Sequence, residues 1–306
     1  MPWLPPVLGP YSDLATLEEA WRDLATQGQG TVRELGQSRQ GRSLTAYLFG
    51  PEGAPVVLLT ALIHGNEWIG GRALFGLAQE LMLSRKTEAL RSEVRLAMVP
   101  VVNPDAYAAN AAKLLRGAPT VRRTNAKGVD LNRNFPRVER VWSLSPLSGS
   151  RFTWSPYYSG EEPLCEPESR AVAALAKELK PFLALGFHSA GGLLLFPWGY
   201  TRKKNPRVRE YEALGRTLTT HQLEPRYRAR QAFSFYRTVG DLDDWLDSEL
   251  GTLAMTVEVS RLDRRLLHPR RLLNPFSWMN PVDVRGTVDG LTPGLVAMIH
   301  EARRRR

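Results

Sequence analysis

An α/β fold built around a largely parallel sheet is what this 306-residue sequence predicts, on three observations. Apolar runs of strand length recur along the chain, helical periodicities fall between them, and polar residues stand at the carboxyl ends of the runs. Taken in order, Leu14, Leu17, Ala20, Trp21 and Leu24 repeat at helical spacing behind Ser12-Asp13, either of which can cap a helix. Val32 to Leu35 and Leu44 to Leu48 are short strand-like pieces with a Gln40-Gly41-Arg42 turn between them. Pro55 to Ile63 (PVVLLTALI) has the composition of a buried strand. It runs into His64-Gly65-Asn66-Glu67, and a helix carrying Ala73, Leu74, Leu77 and Leu81 follows. Val94 to Val102 is another apolar strand, ended by Asn103-Pro104-Asp105. Pro167 to Leu179 reads as an amphipathic helix, Phe182 to Phe187 as a strand delivering His188, and Leu253 to Val259 as a strand carrying Glu258. Leu291 to Ala302 closes the chain as a helix. In parallel sheets the carboxyl ends of strands line the ligand crevice, and His64, His188 and Glu258 all lie at or near such ends.

Composition excludes several classes. Hydrophobic residues at 43% and charged residues at 24% are ordinary for a globular chain. A lone cysteine, Cys165, rules out an intramolecular disulfide and a Cys-rich zinc module. The longest apolar run, Val56 to Ile63, falls far short of the roughly 20 residues of a membrane helix. The opening MPWLPPVLGPYSD has no basic, apolar or cleavage region of a secretory signal, so a cytoplasmic location is expected. A net charge of +10 raises the question of anionic partners. The arginines are dispersed, however, and dense only at Arg261 to Arg271 and Arg303 to Arg306. No zinc finger, RRM-like motif or aromatic-interleaved basic stripe goes with them, so nucleic acid is not an expected partner. Neither a G-x-G-x-x-G nor a P-loop is present.

The remaining polar residues point to a metal. His64 and Glu67 form an H-x-x-E pair just past a buried strand. Catalytic zinc takes three such nitrogen and oxygen ligands and leaves one position for water. His188 emerges from another strand. In Asp130-Leu131-Asn132-Arg133-Asn134-Phe135-Pro136, the arginine can clamp a carboxylate and the aspartate can orient a metal-bound imidazole. Glu258 is a carboxylate on an apolar strand, where it needs a partner or a task.

Six segments then occur in one order: HGNEW at 64–68, GVDLNRNFP at 128–136, YYSGEEPLCEPESRA at 157–171, FHSAGGLLLFPWGYT at 187–201, YRTVGDLDDW at 236–245 and TVEVS at 256–260. The set resembles the zinc carboxypeptidases of the carboxypeptidase A/B type, bacterial members included. The resemblance implies a single domain with a central, mixed, mostly parallel twisted sheet of about eight strands and helices on both faces. The catalytic domain would span 31–302, after an N-terminal segment and helix over 1–30 and before a basic tail at 303–306. His64, Glu67 and His188 would hold one zinc ion, with Asp130 supporting His64. Glu258 would activate a zinc-bound water and pass its proton to the leaving amine. Arg123 would stabilise the oxyanion, although its neighbour Arg122 makes a slip of one residue possible.

The resemblance also gives Asn132 and Arg133 the terminal carboxylate of the substrate, and Tyr236 a closing role over the bound residue. Asp243, two residues before Trp245, would reach the floor of the specificity pocket and favour basic C-terminal residues. The implied activity is that of a metallocarboxypeptidase acting on peptides. An alternative is a peptidoglycan-peptide amidase cutting the γ-D-glutamyl-diaminopimelate bond; a remote one is a non-catalytic peptide-binding protein. Asn66 departs from the arginine usual in the animal enzymes. His221, His268 and His300 fall outside the constellation and read as structural or surface residues; Cys165 reads as a small helix-entry residue.

Overall fold

The apolar runs become the centre of one eight-stranded sheet in the computed structural model, which describes residues 9–138, 148–223, 225–261 and 274–306. The strands are β1 (Thr31–Gln37), β2 (Ser43–Phe49), β3 (Val56–Ala61), β4 (Arg95–Val99), β5 (Leu183–His188), β6 (Leu193–Phe196), β7 (Arg228–Gln231) and β8 (Leu253–Glu258). Their order is β1-β2-β4-β3-β5-β8-β6-β7. The four middle strands, β4, β3, β5 and β8, pair in parallel. The hairpin β1–β2 joins them antiparallel through β4, and the parallel pair β6–β7 joins antiparallel through β8.

Nine α-helices are described: α1 (Leu14–Gln27), α2 (Trp68–Leu83), α3 (Glu88–Glu93), α4 (Pro104–Leu115), α5 (Pro167–Leu179), α6 (Val208–His221), α7 (Leu242–Leu250), α8 (Phe276–Met279) and α9 (Val284–Arg305). They cover both faces of the sheet. Successive strand residues point to opposite sides, and each face has its own apolar cluster. Val57, Leu59, Leu96, Met98, Leu185 and Met255 pack with α1, α2, α6 and α9. Leu58, Ala97, Ala184 and Ala254 pack with α5 and α7 on the other side. The small residues on that second face bring the α5–α7 layer close.

Several elements differ from the sequence expectation. Asn103-Pro104-Asp105 does not only end β4; it starts α4. Asn103 accepts a hydrogen bond from the Ala106 amide at 3.1 Å, and proline suits the first helical turn. α9 begins at Val284 and runs through Pro293 to Arg305, so Arg303, Arg304 and Arg305 lie in its last turn, where cations oppose the helix dipole. The helices α6 and α7 have no counterpart in the sequence reading, although α6 carries Val208, Tyr211, Leu214 and Leu218 at helical spacing; the stripe of α7 is short and interrupted by charge. The basic run at 262–271 and His268 lie outside the described residues. Among the described residues, no helix is long and apolar enough to cross a membrane.

The topology fixes where a ligand can bind. From β3 the chain crosses to β4 on one side, whereas β5 and β8 lie on the other side of β3. This is a switch point, and the crevice opens beyond the carboxyl ends of β3 and β5.

Candidate metal centre and active site

His64 follows β3 and His188 ends β5, so the switch point places both imidazoles in the same crevice. Glu67 joins them from the N-terminus of α2, in a turn closed by Glu67 N–H donating to His64 O at 3.2 Å. Two glycines permit this approach. A Cβ on Gly65 would stand 2.2 Å from Ala106 Cβ, and one on Gly70 would stand 2.8 Å from Phe187 O. Trp68 anchors the turn by donating to Gly65 O at 2.9 Å and stacking on Tyr107 with ring centres 4.1 Å apart.

The three side chains are buried and converge. His64 Nδ1 lies 2.9 Å from Glu67 Oε1, and His188 Nδ1 lies 3.0 Å from Glu67 Oε2. The two Nδ1 atoms are 3.1 Å apart. If one neutral imidazole donates to the other, the accepting Nδ1 still faces a carboxylate oxygen of Glu67 lone pair to lone pair. A shared cation removes the conflict. Donors bound at about 2.0–2.1 Å around a tetrahedral ion stand roughly 3.3 Å from one another, close to the spacing here. The set therefore fits zinc by chemistry and by distance. Burial opposes ionisation of Glu67, but the two histidines outweigh it and hold the carboxyl well below the usual range.

Asp130 supports the ring behind. Its Oδ1 lies 3.2 Å from His64 Nε2 and accepts from Asn132 N at 3.0 Å, while Oδ2 accepts from Arg123 Nε at 3.0 Å. Burial opposes its charge, yet Arg123 first and His64 next keep it ionised. With Nε2 engaged, Nδ1 is the nitrogen left for the ion.

Arg123 rather than Arg122 faces the crevice. Arg122 turns away and donates to Asn125 O at 2.9 Å. Arg123 lines the cavity, spends Nε on Asp130 and Nη1 on Glu67 at 3.3 Å, and keeps Nη2 without a partner among the described residues. Tyr157, which the sequence reading did not single out, lies over the guanidinium with its ring centre 5.3 Å from Cζ. An aromatic in a signature segment was the only sequence trace of it; which cation it would face depends on tertiary structure alone.

Asn110 on α4 ties the arginine segment to the metal turn. Its amide donates to Gly65 O at 2.6 Å and to Arg122 O at 2.8 Å, and its oxygen accepts from Thr120 Oγ1 at 2.6 Å and Arg122 N at 3.0 Å. Truncation to alanine would strand these buried groups together. We expect Asn110→Ala to lower stability by roughly 2–3 kcal/mol, as read from urea midpoints at unchanged slope. An unchanged midpoint would mean that the two segments do not depend on this bridge.

Glu258 ends β8 directly opposite His188 in the β5–β8 register, so strand pairing alone sets it beside the metal centre. Burial, and then the nearby Glu67 against the opposing pull of His188, leaves its carboxyl pushed up to about 7. The cavity that joins these groups has a volume of about 190 Å³. Asn132, Tyr236 and Asp243 also line it. Asn132 Oδ1 accepts from Leu242 N at 3.0 Å, which ties it to the start of α7. Arg133 is buried and is not on the cavity wall; its Nη2 donates to the Tyr236 hydroxyl at 3.3 Å, and Nη1 donates to Asn132 O at 2.6 Å. The tyrosine is thus already folded inward.

Asp243 sits in the first turn of α7, capped by Asp241, with Thr256 of β8 donating to its Oδ2. Burial and then Asp241 push its carboxyl up to about 7, although the Thr256 bond pulls the other way. Asp241 and Asp244 line the same end of the cavity, and Asp241 Oδ2 is buried without a partner among the described residues. His221 and His300 lie together on a separate groove between α2, α6 and α9. Cys165 precedes α5 and accepts a hydrogen bond from Asn134 Nδ2 at 3.2 Å.

Known proteins resemble this arrangement. A zinc carboxypeptidase A of Anopheles gambiae is 31% identical over 257 residues, which is 78% of this chain and 58% of that protein; the chain thus spans little more than half of it. A carboxypeptidase B of Astacus astacus is 29% identical over 265 residues, covering 78% of this chain and 83% of that protein. The solved carboxypeptidase A of Helicoverpa armigera superposes with a TM-score of 0.81 at 20% identity, over 95% of this chain and 73% of that one. The murein-tripeptide amidase of Escherichia coli O157 has the same fold at a TM-score of 0.53 and 20% identity, over 89% and 91%. The family match itself extends over residues 17–278, taking in the metal turn, the arginine segment and the strand that ends in Glu258, and by it the chain belongs to the zinc carboxypeptidase family.

Proposed function

We propose that this chain is a zinc-dependent carboxypeptidase that releases a basic residue from the C-terminus of peptides. The observation that carries the reading is the convergence of His64, His188 and Glu67 on a small cavity that also holds Glu258 and ends on Asp243. Zinc held by these three side chains would supply Lewis acidity towards water and the scissile carbonyl. The chain's own residues do the rest. Glu258 takes the proton of the attacking water on its carboxylate and hands it to the leaving amine nitrogen as the peptide C–N bond breaks. Arg123 meets the developing oxyanion with its spare Nη2 donor, already oriented by Asp130 and Glu67.

Asn132 and Arg133 hold the terminal carboxylate. The Tyr236 hydroxyl yields Arg133 Nη2 to that carboxylate, and the ring then closes over the bound residue. An internal peptide bond brings no anion to this buried guanidinium, which restricts cleavage to chain ends.

The pocket end is acidic, and no basic residue lines the cavity there among those described. A Lys or Arg side chain satisfies it. The test is a mass-spectrometric assay with zinc-loaded protein on peptides ending in Arg, Lys, Phe or Leu, and on L-Ala-γ-D-Glu-diaminopimelate. Release of Arg and Lys in preference to Phe and Leu is expected. Cleavage of the diaminopimelate peptide alone would replace the reading with amidase activity, and no cleavage with zinc bound would remove it.

Asp243→Asn gives a second check. In the folded protein Asp243 keeps its proton to about pH 7, whereas in the unfolded chain it loses it near the ordinary 3.8. The folded state binds more protons between these values, so its stability falls as pH rises from 3.8 towards 7. Asparagine does not titrate. At pH 8 the variant is expected to be more stable than the parent by on the order of 2 kcal/mol, since cavity water still screens the carboxyl. It should also lose its preference for Arg and Lys over Leu. Equal thermal stability of the two proteins at pH 8 and at pH 4 would contradict the first expectation, and an intact preference the second.

A further inference from the structure

The wall of the cavity that carries Tyr236 continues outwards into a basic rim. The segment Ala232 to Arg237 contributes Ala232, Phe235 and Tyr236 to the cavity itself. Arg202, Arg230 and Arg237 belong to the rim, Arg228 stands two residues before Arg230 on β7, and Arg261 follows β8; none of the five forms an ion pair with a described residue. Most are held in place by other means. Arg202 lies over the Phe233 ring at 5.5 Å and Arg230 over the Phe235 ring at 5.2 Å. Arg237 Nε donates to Tyr200 O at 3.1 Å. Arg261 Nη2 donates to Arg226 O at 2.8 Å, and its stem fills the space beside Gly192, where a Cβ would stand 2.5 Å from Arg261 Cγ. The neighbouring Gly191 packs against Glu258 in the same way, with its Cβ position 3.1 Å from Glu258 Cβ. The rim thus reaches from the edge strand β7 to within one residue of the catalytic carboxylate.

We infer that this rim binds carboxylates on the substrate upstream of the residue it loses, so that the preferred substrates are acidic peptides with a cationic C-terminal residue. The inference rests on the carboxypeptidase reading above. It follows from the position of the charge. The wall that closes over the terminal residue ends in Arg237 and carries the Phe233 and Phe235 rings on which Arg202 and Arg230 rest, so a chain ending in the cavity passes beside these guanidiniums. Guanidiniums seated on phenyl rings or on backbone carbonyls are fixed in direction and still present free N–H edges, the geometry that suits carboxylate. The inner end of the cavity offers carboxyl groups that a bound cation would ionise, and its mouth is positive, so a peptide of the opposite polarity is held in the correct orientation.

Binding and turnover test this separately. The binding probe is a fluorescent peptide with three glutamates ahead of Gly-Arg, with a three-glycine counterpart, read by anisotropy on zinc-loaded Glu258→Gln protein. The acidic peptide is expected to bind about tenfold tighter at low salt, with the difference gone near 1 M salt. Arg202→Glu with Arg228→Glu should bring the acidic peptide to the level of the neutral one and leave hydrolysis of the neutral peptide by the otherwise native enzyme unchanged. Equal binding of the two peptides, or a preference that survives the double substitution, would overturn the inference. Displacement of the acidic peptide by an oligonucleotide or an anionic vesicle of matched charge, at lower concentration than by unlabelled peptide, would also overturn it. Absence of hydrolysis of every peptide would count against the carboxypeptidase reading alone, because the anisotropy signal does not depend on turnover.

Discussion

Glu258→Gln is expected to reduce turnover by about a hundred- to ten-thousand-fold with zinc content unchanged. Glutamine keeps the shape of the side chain, and the ligand atoms of His64, Glu67 and His188 are untouched. What it loses is the ability to accept and return a proton. The position is set by strand pairing with His188 rather than by contacts of the carboxylate, so the fold has no reason to change. Removing a buried carboxyl whose ionisation burial opposes should even leave the melting temperature equal or higher. Turnover on a C-terminal Arg peptide and metal content by mass spectrometry of the native protein measure the two halves. Near-native turnover with zinc in place would take the proton transfer away from Glu258.

Arg123→Ala is expected to act on both stability and rate. The side chain joins two buried carboxylates, Asp130 at 3.0 Å and Glu67 at 3.3 Å. Removing one partner of a buried charge network costs about 3–5 kcal/mol, because the charges left behind are not resolvated. The loss of the Nη2 donor should lower kcat by a further hundred- to thousandfold, roughly, with a smaller change in KM, since the oxyanion exists only on the way to products. Arg123→Lys separates the two effects. A lysine retains charge near Asp130 and restores part of the stability, but it lacks the forked geometry that reaches both carboxylates and the oxyanion. A lysine variant with full kcat would show that charge alone suffices there; an alanine variant with native stability would show that the carboxylates find other partners.

The residues carrying these predictions were legible to different degrees. His64, His188 and Glu258 could be placed because each follows a continuous apolar run, and a parallel sheet leaves few places for the ends of such runs. Arg123 was named through the resemblance alone, with a slip to Arg122 left open, since neighbouring residues in an irregular segment carry no periodicity; the backbone around Asn110 decides which one faces inward. Asp243 could be named as a pocket residue, but its place in the first turn of a helix capped by Asp241 could not. The charge-rich stretch around it hides the apolar stripe of Leu242, Trp245 and Leu246. α4 was missed for a different reason. Asn-Pro-Asp is as good a helix start as a strand stop, and the local sequence does not say which applies. Tyr157 and the seat of Arg133 behind Tyr236 arise from contacts between residues far apart in the chain, and no local pattern encodes them.

The pairing of His188 with Glu258 has a further consequence for how such a protein can change over generations. A shift of one residue between β5 and β8 would turn Glu258 to the opposite face of the sheet, so insertions and deletions in these strands are all-or-nothing events. The pocket end is assembled differently, from the first turn of a helix that meets β8 through the Asp243–Thr256 contact. Point substitutions there leave the strand register alone. The carboxylate at the strand end is therefore locked to the architecture, while the carboxyl at the far end of the cavity can be exchanged without disturbing it.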